Sequence, residues 1–305
     1  MHNLWLFLKG VAMGAADVVP GVSGGTIAFV TGIYDQLLGS IRRIDAQALR
    51  LLFSQGPKAA WSYINGNFLV VLGSGILTAL LSLAKGIHYL LLNYPVWVWA
   101  FFFGLIIASV VHVGREIRER NLLAGILLVV GIVLAAWISS AAPTSIEATP
   151  LVVFVAGSVA ICAMILPGIS GSFILLLMGL YEPILNALKN LELVTMATFA
   201  SGAALGLMAF SRVLSWMLEH QRNATFALLT GFMIGSLVKV WPWKITLETR
   251  VNSSGEIVPV VQDNVLPAMG TELWLAIALM VSGVVLVLGL EWVASRQLQT
   301  QKSAA

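Results

Sequence analysis

Apolar residues run through this chain in long blocks separated by short polar stretches. Six blocks are long enough to cross a bilayer as helices, which takes about 20 residues: 68–92, 95–113, 121–139, 194–218, 224–241 and 272–293. Two further regions behave differently. Residues 4–17 and 25–40 are short apolar arms around a Pro/Gly break, and 150–166 and 172–188 repeat that layout. Such arms are too short to span, so 4–40 and 150–188 are each expected to form a re-entrant helical hairpin, with a broken spanning helix as the alternative. Backbone leaves helical form at membrane depth only where protein or water satisfies its polar groups.

The breaks are copies of one another. Pro20-Gly-Val-Ser-Gly-Gly-Thr26 returns 147 positions later as Pro167-Gly-Ile-Ser-Gly-Ser-Phe173, and 8 of the 19 residues aligned between 20–38 and 167–185 are identical. The duplication continues downstream, where Gly104–Val113 aligns with Gly231–Val240 at an offset of 127, with 5 of 10 residues identical. The first half, 1–147, therefore carries 20 more residues between its blocks than the second half, 148–305. The extra residues fall in 42–67, where Ile44, Ala48, Leu51 and Leu52 have helical spacing and Trp61 suits an interfacial anchor.

The fold expected is an all-α polytopic membrane protein of two inverted repeats, each a hairpin plus three transmembrane helices. Three is odd, so the second half enters from the opposite side if both hairpins return to their own face. Charge points the same way. This arrangement puts Arg42, Arg43, Arg50, Lys58, Arg115, Arg118, Arg120, Arg222, Arg296 and Lys302 in the cytoplasm and only Lys189, Lys244 and Arg250 outside. That bias follows the positive-inside rule, with both termini cytoplasmic. The outer segment 242–271 holds Asn252-Ser-Ser-Gly255 between β-prone residues and is expected to form a small hairpin.

Composition agrees. Apolar residues make up 59% of the 305 and charged residues only 10%, against about a quarter in a soluble domain. The net charge of +3 gives no reason to expect a nucleic-acid partner. The single cysteine, Cys162, rules out an internal disulfide and any cysteine-rich metal centre. No cofactor, metal or catalytic residue is expected. The first 16 residues, which lead straight into the first break, read as retained rather than as a cleaved signal.

Chemistry concentrates at the breaks. Glycine allows positive φ and close backbone approach, and Ser23 and Ser170 suit the N-cap of the returning helix. Free N–H groups there, backed by the helix dipole, favour an anion. The candidate anion site comprises Gly21, Ser23, Gly24, Gly25 and Thr26 with Gly168, Ser170, Gly171 and Ser172. The simpler alternative is a turn that only reverses the chain. Lys85 and Arg212 match at the 127 offset and are candidate cations for one anion received from either leaflet, with snorkelling to the interface as the alternative. Lys9 and Lys239 lie nearer segment ends, where snorkelling is favoured. Asp17, Asp35 and Glu182 are candidates for coupling or for a structural role, because acids inside a membrane are costly.

Gly14-Ala-Ala-Asp-Val-Val-Pro-Gly-Val-Ser-Gly-Gly-Thr-Ile-Ala28, followed by Gly32-Ile-Tyr-Asp35, resembles the signature of the PopT-type polyprenyl-phosphate transporters. The likeness extends to the second Pro-Gly-Ile-Ser-Gly turn. It implies a flippase in the bacterial cytoplasmic membrane that moves undecaprenyl phosphate from outer to inner leaflet for reuse in envelope glycan synthesis such as peptidoglycan. Its partners would be that lipid and the bilayer, and a homo-oligomer is left open. An anionic headgroup suits the hairpins, while the polyprenyl tail stays in lipid. Two rivals are an undecaprenyl-pyrophosphate phosphatase and a small-anion transporter or channel. Against the first, Gly24 and Gly171 stand where a related Pro-Gly-x-Ser-Arg-Ser turn has its arginine, and no Glu-x-x-x-Glu pair is present.

Overall fold

The protein was studied as a computed structural model that describes residues 2–303 apart from 20, 120, 145, 252–254 and 256, and apart from the side chains of 2, 250, 258 and 293–303. Pro20, Arg120, residues 252–254 and the side chains of Arg250, Arg296 and Lys302 thus lie outside the described residues.

Both breaks interrupt helices where the sequence places glycine. In the first half, α1 (His2–Val18) gives way to α2 (Gly24–Val30) and then α3 (Tyr34–Arg42). In the second half the order is α10 (Pro150–Ile165), α11 (Gly171–Leu177) and α12 (Tyr181–Lys189), the last two bent by 109°. Gly21 and Gly168 adopt φ of +89° and +87°, and Gly32 and Gly179 both adopt +71°. Each pair is 147 residues apart, and each requires the left-handed backbone that only glycine adopts at no steric cost.

After the first break, α4 (Ala46–Ser54) and α5 (Pro57–Tyr63) lie on the surface, with only Ala60 buried. The span expected over 68–92 is not one helix. It divides at Leu83 into α6 (Gly66–Ser82) and α7 (Ala84–Asn93). The hydroxyls of Ser74, Thr78 and Ser82 each donate to a carbonyl one turn back on α6, a contact that bends helices. The other spans follow the hydrophobic blocks: α8 (Pro95–Gly114), α9 (Leu122–Ser140), α13 (Leu193–His220), α14 (Arg222–Val240) and α15 (Thr271–Ser303). Strands β1 (Lys244–Val251) and β2 (Ile257–Asn264) pair antiparallel in the segment expected to form a hairpin. Among the described residues, 5 helices are long and apolar enough to cross a membrane singly, or up to 7 if each bent pair is one span. This is an α-helical, multi-pass membrane protein.

Helix pairing rests on glycines that meet carbonyl oxygens, and those meetings recur at the sequence offsets. A Cβ at Gly75 would fall 2.2 Å from the Phe7 oxygen, and one at Gly202 would fall 2.0 Å from the Phe154 oxygen. Gly10 meets Leu72 as Gly157 meets Phe199, so α1 lies on α6 as α10 lies on α13. The remaining pairs cross between halves. Gly104 of α8 abuts Met280 of α15, and Gly231 of α14 abuts Leu128 of α9. Small residues allow such backbone approach where lipid supplies no hydrophobic drive for helices to associate. Gly231→Ala would place a methyl group 2.3 Å from the Leu128 oxygen. Overpacking of this kind costs about 1–3 kcal/mol. The purified variant is expected to melt several degrees below wild type, whereas Gly125→Ala, which meets open space, is expected to match it.

The bundle has two unlike ends. Trp99, early in α8, lies under the Lys244 ammonium just past α14, with 4.0 Å to the ring centroid, and the Phe103 and Trp241 rings are 5.5 Å apart. At the other end of α8 the Arg118 N–H donates to Asn223 Oδ1 at the start of α14, at 3.0 Å. Helices α8 and α14 therefore run antiparallel. The Arg118 end also gathers Arg42 with Glu219, Arg222 with Asp35, and His112 and Arg115 with Glu291.

Candidate functional site

The two breaks touch. Ser23 is the N-cap of α2, with its Oγ accepting from the Gly25 N–H at 3.0 Å and donating to the Met164 carbonyl at 2.9 Å. The Gly168 N–H donates to Thr26 Oγ1 at 3.2 Å, and the Tyr34 hydroxyl donates to the Ile165 carbonyl at 3.2 Å. Three hydrogen bonds thus join segments more than 130 residues apart in sequence. The backbones of the two breaks are in close contact as well, since a Cβ at Gly25 would fall 2.4 Å from the Ile165 oxygen; Gly168 instead packs on α14, where a Cβ would fall 2.9 Å from Met233 Cα. Ser23, Thr26 and Tyr34 are buried. The Phe29 and Tyr34 rings pack at a 30° tilt, with centroids 3.7 Å apart, and Phe29 meets Phe226 edge-on at 5.7 Å.

The copies differ in how their helices are capped. The Gly24 N–H donates to Asp17 Oδ1 at 2.7 Å, so a carboxylate from α1 already fills the anion position at the start of α2. Gly24 has no side chain to obstruct it, since a Cβ there would fall 2.6 Å from Asp17 Oδ2. The position matching Asp17 in the second half, 147 residues on, is Met164. Ser170 is the N-cap of α11 without a side-chain cap bond, and its Oγ lies 2.9 Å from that of Ser172. The capping expected of both serines is therefore made by Ser23 alone, because Ser170 turns to its neighbouring hydroxyl.

Two cavities are lined by residues that touch the joined turns. One, of about 170 Å³, is lined by Ser139, Ser140, Lys239, Lys244 and the end of β2. Lys239 reaches both hairpins: its Cγ would lie 2.8 Å from a Cβ on Gly21, and its ammonium sits 4.4 Å from the Phe173 ring centroid. Lys244 Nζ donates to the Lys239 carbonyl at 2.5 Å. Burial pushes the Lys244 ammonium down to about 7, and the neighbouring charge of Lys239 adds to the shift. The other cavity, of about 160 Å³, is lined by Phe29, Gly32, Tyr34, Asp35, His112, Glu116, Arg222 and Phe226. Asp35 faces Arg222 there at 3.7 Å.

The remaining candidates lie elsewhere. Lys85 is exposed at the start of α7. Arg212 is exposed on α13, where its Nη1 donates to the Met208 carbonyl at 3.1 Å. Neither joins the turns. Glu182 is half-buried on α12. Lys9 donates to the Thr31 carbonyl at 2.8 Å, tying α1 to the far turn of its own hairpin rather than reaching for the interface. Sequence reasoning assigned Lys239 to snorkelling and Lys244 to the outer face, and made neither a site candidate. A signal was nonetheless present, because the 127 offset places Lys239 opposite His112 and each lines one of the cavities.

A family model described as undecaprenyl phosphate translocase-like matches residues 13–258. A protein of Vibrio cholerae serotype O1 (strain ATCC 39315 / El Tor Inaba N16961), named polyprenyl-phosphate transporter, is 50% identical over 303 residues, spanning 97% of this chain and 98% of that protein. A protein of Staphylococcus aureus (strain NCTC 8325 / PS 47) with the same name is 34% identical over 257 residues, or 78% and 86% of the two chains. No solved structure matches.

Proposed function

The chain belongs to the undecaprenyl phosphate translocase-like family, and on that premise we propose that it carries undecaprenyl phosphate from the outer to the inner leaflet of the bacterial cytoplasmic membrane. Its relatives are named as transporters, and it is a transporter of polyprenyl phosphate rather than an enzyme. The observation that carries the finer reading is the joining of two copied turns, with one cavity lined by Lys239, which touches Gly21, and another lined by Phe29 and Tyr34. A headgroup held at the turns is exposed to one cavity or the other as the halves rock, and the polyprenyl tail stays in lipid.

Inverted repeats support this cycle. Helices α8 and α14 match in sequence yet run antiparallel, and His112 and Lys239 occupy matched positions at opposite ends of the bundle. The end rich in arginine is the cytoplasmic one in this reading, with both termini on that side. The N–H groups of Gly24, Gly25 and Gly168 are taken by Asp17, Ser23 and Thr26, which set the geometry of the turns. In this reading the headgroup is met by the backbone at Gly21 and Gly171 and by the hydroxyls of Ser170 and Ser172. Lys85 and Arg212 remain as surface cations along the route that the lipid takes.

A phosphate monoester carries roughly −1.5 to −2 at neutral pH. Moving each charge inward against an inside-negative potential costs about 2.3 kcal/mol per 100 mV. The whole step thus costs about 3.5–4.6 kcal/mol at 100 mV, which proton co-transport through the acids of the hairpins offsets. Reconstitution tests the reading. Purified protein in liposomes is expected to move undecaprenyl phosphate between leaflets and to release no inorganic phosphate from undecaprenyl pyrophosphate. Release of phosphate would instead indicate a phosphatase, and small-ion flux without lipid movement would indicate a channel.

A further inference from the structure

We infer that Lys239 and Lys244 together form the cationic site that receives a phosphomonoester headgroup on the β-hairpin side of the bundle. The inference rests on the transport reading above and names residues for it. Both ammonium groups lie beside one cavity of about 170 Å³, and among the described residues neither is ion-paired with a carboxylate. Asp263 lines the same cavity but is exposed and makes no ion pair with either lysine. The lysines have only partial compensation: the Phe173 ring for Lys239, and the Trp99 ring with the Lys239 carbonyl for Lys244. Aromatic faces attract a cation weakly compared with a counter-ion. Two neighbouring ammonium groups drawn away from water without an anion are costly, and a doubly charged phosphate would neutralise both.

Geometry favours a headgroup over a passing ion. Lys239 touches the first turn through Gly21 and the second hairpin through Phe173, so an anion bound to it lies at the junction of the two halves. Ser139 and Ser140 line the same cavity, and their hydroxyls can donate to phosphate oxygens. The wall formed by β2 is fixed in place. Trp241 Nε1 donates to the Val265 carbonyl at 2.9 Å, and Asn264 Nδ2 donates to the Val238 carbonyl at 2.8 Å. Exposed Val133 and Trp137 on the neighbouring α9 continue as an apolar surface along which a polyprenyl tail can lie.

The test is equilibrium binding by the purified full-length protein, with a short-chain polyprenyl phosphate and with inorganic phosphate as separate titrants. Lys239→Met and Lys244→Met keep the apolar stems and remove the charges. Each is expected to weaken binding of the lipid phosphate by about tenfold or more, as loss of a hydrogen bond to a charged group does, and Lys244→Arg is expected to recover most of it. Wild-type affinity in both Met variants would overturn the inference and leave the transport reading standing. Inorganic phosphate bound by wild type and lost in the variants, with no binding of the lipid, would uphold an anion site but overturn the transport reading. Amine acylation followed by mass spectrometry tests the native chain. Lys244 is expected to be protected by polyprenyl phosphate, and equal labelling with and without it would overturn the inference.

Discussion

Gly25→Ala is expected to abolish polyprenyl-phosphate transport in proteoliposomes while the protein remains helical and monodisperse. The added Cβ would fall 2.4 Å from the Ile165 carbonyl oxygen and 3.1 Å from its carbon. Neither atom yields readily. Ile165 is the last residue of α10, and its carbonyl also accepts the Tyr34 hydroxyl. The turns must therefore move apart, at a cost of about 1–3 kcal/mol for an overpacked contact. The separation falls on the bonds between the hairpins: Ser23 to Met164, Tyr34 to Ile165 and Gly168 to Thr26. Helix pairing lies elsewhere, at the glycine–carbonyl contacts of α1 with α6 and α10 with α13, so the bundle survives. Gly39→Ala is the control, because a Cβ there meets nothing within 4 Å and alanine suits a helix interior. Transport by Gly25→Ala at the Gly39→Ala rate would show that the joined turns are not the moving part.

Much of this organisation was legible in the chain because it is local or repeated. The hydrophobic blocks mark α8, α9, α13 and α14 to within a few residues, whereas α15 runs on to Ser303, ten residues past the block that ends at 293. The repeated Gly-x-Ser-Gly strings locate both breaks, and β-prone runs around a polar turn mark the strands at 244–251 and 257–264. Ser23 caps its helix as a serine before a glycine pair suggests. Facing is the part that was not legible. Helices that are apolar all round give no stripe to say which side faces protein, so a matched pair such as Lys85 and Arg212 reveals the duplication without revealing that both lie exposed. Lys239 reads from sequence as a lysine near a helix end. Only the tertiary fold brings Phe173 and Gly21 to it. The break at Leu83 was hidden because Ser74, Thr78 and Ser82 before it sit inside one unbroken apolar run.

Asp17 separates two roles that the hairpin acids could play, and two substitutions tell them apart. Its carboxylate accepts the Gly24 N–H at 2.7 Å, and Met164 at the matched position of the other half shows that the duplicated architecture does not itself demand an acid there. Asp17→Ala is expected to lower thermal stability and transport together. It leaves the Gly24 N–H without its partner beside the junction of the turns, and an orphaned buried donor costs about 1–3 kcal/mol. Asp17→Asn keeps an acceptor oxygen of the same reach and removes the exchangeable charge. That variant is expected to melt near wild type yet to lose the acceleration of transport by an imposed proton gradient. If Asp17 only caps α2, the Asn variant will respond to the gradient as wild type does, and the coupling acid must be sought among Asp35 and Glu182. If instead both variants unfold alike, the carboxylate's charge holds the hairpin against the positive end of α2. Proton coupling would then be tested at Asp35, whose exposed pairing with Arg222 is worth little to stability and so can be removed without loss of the fold.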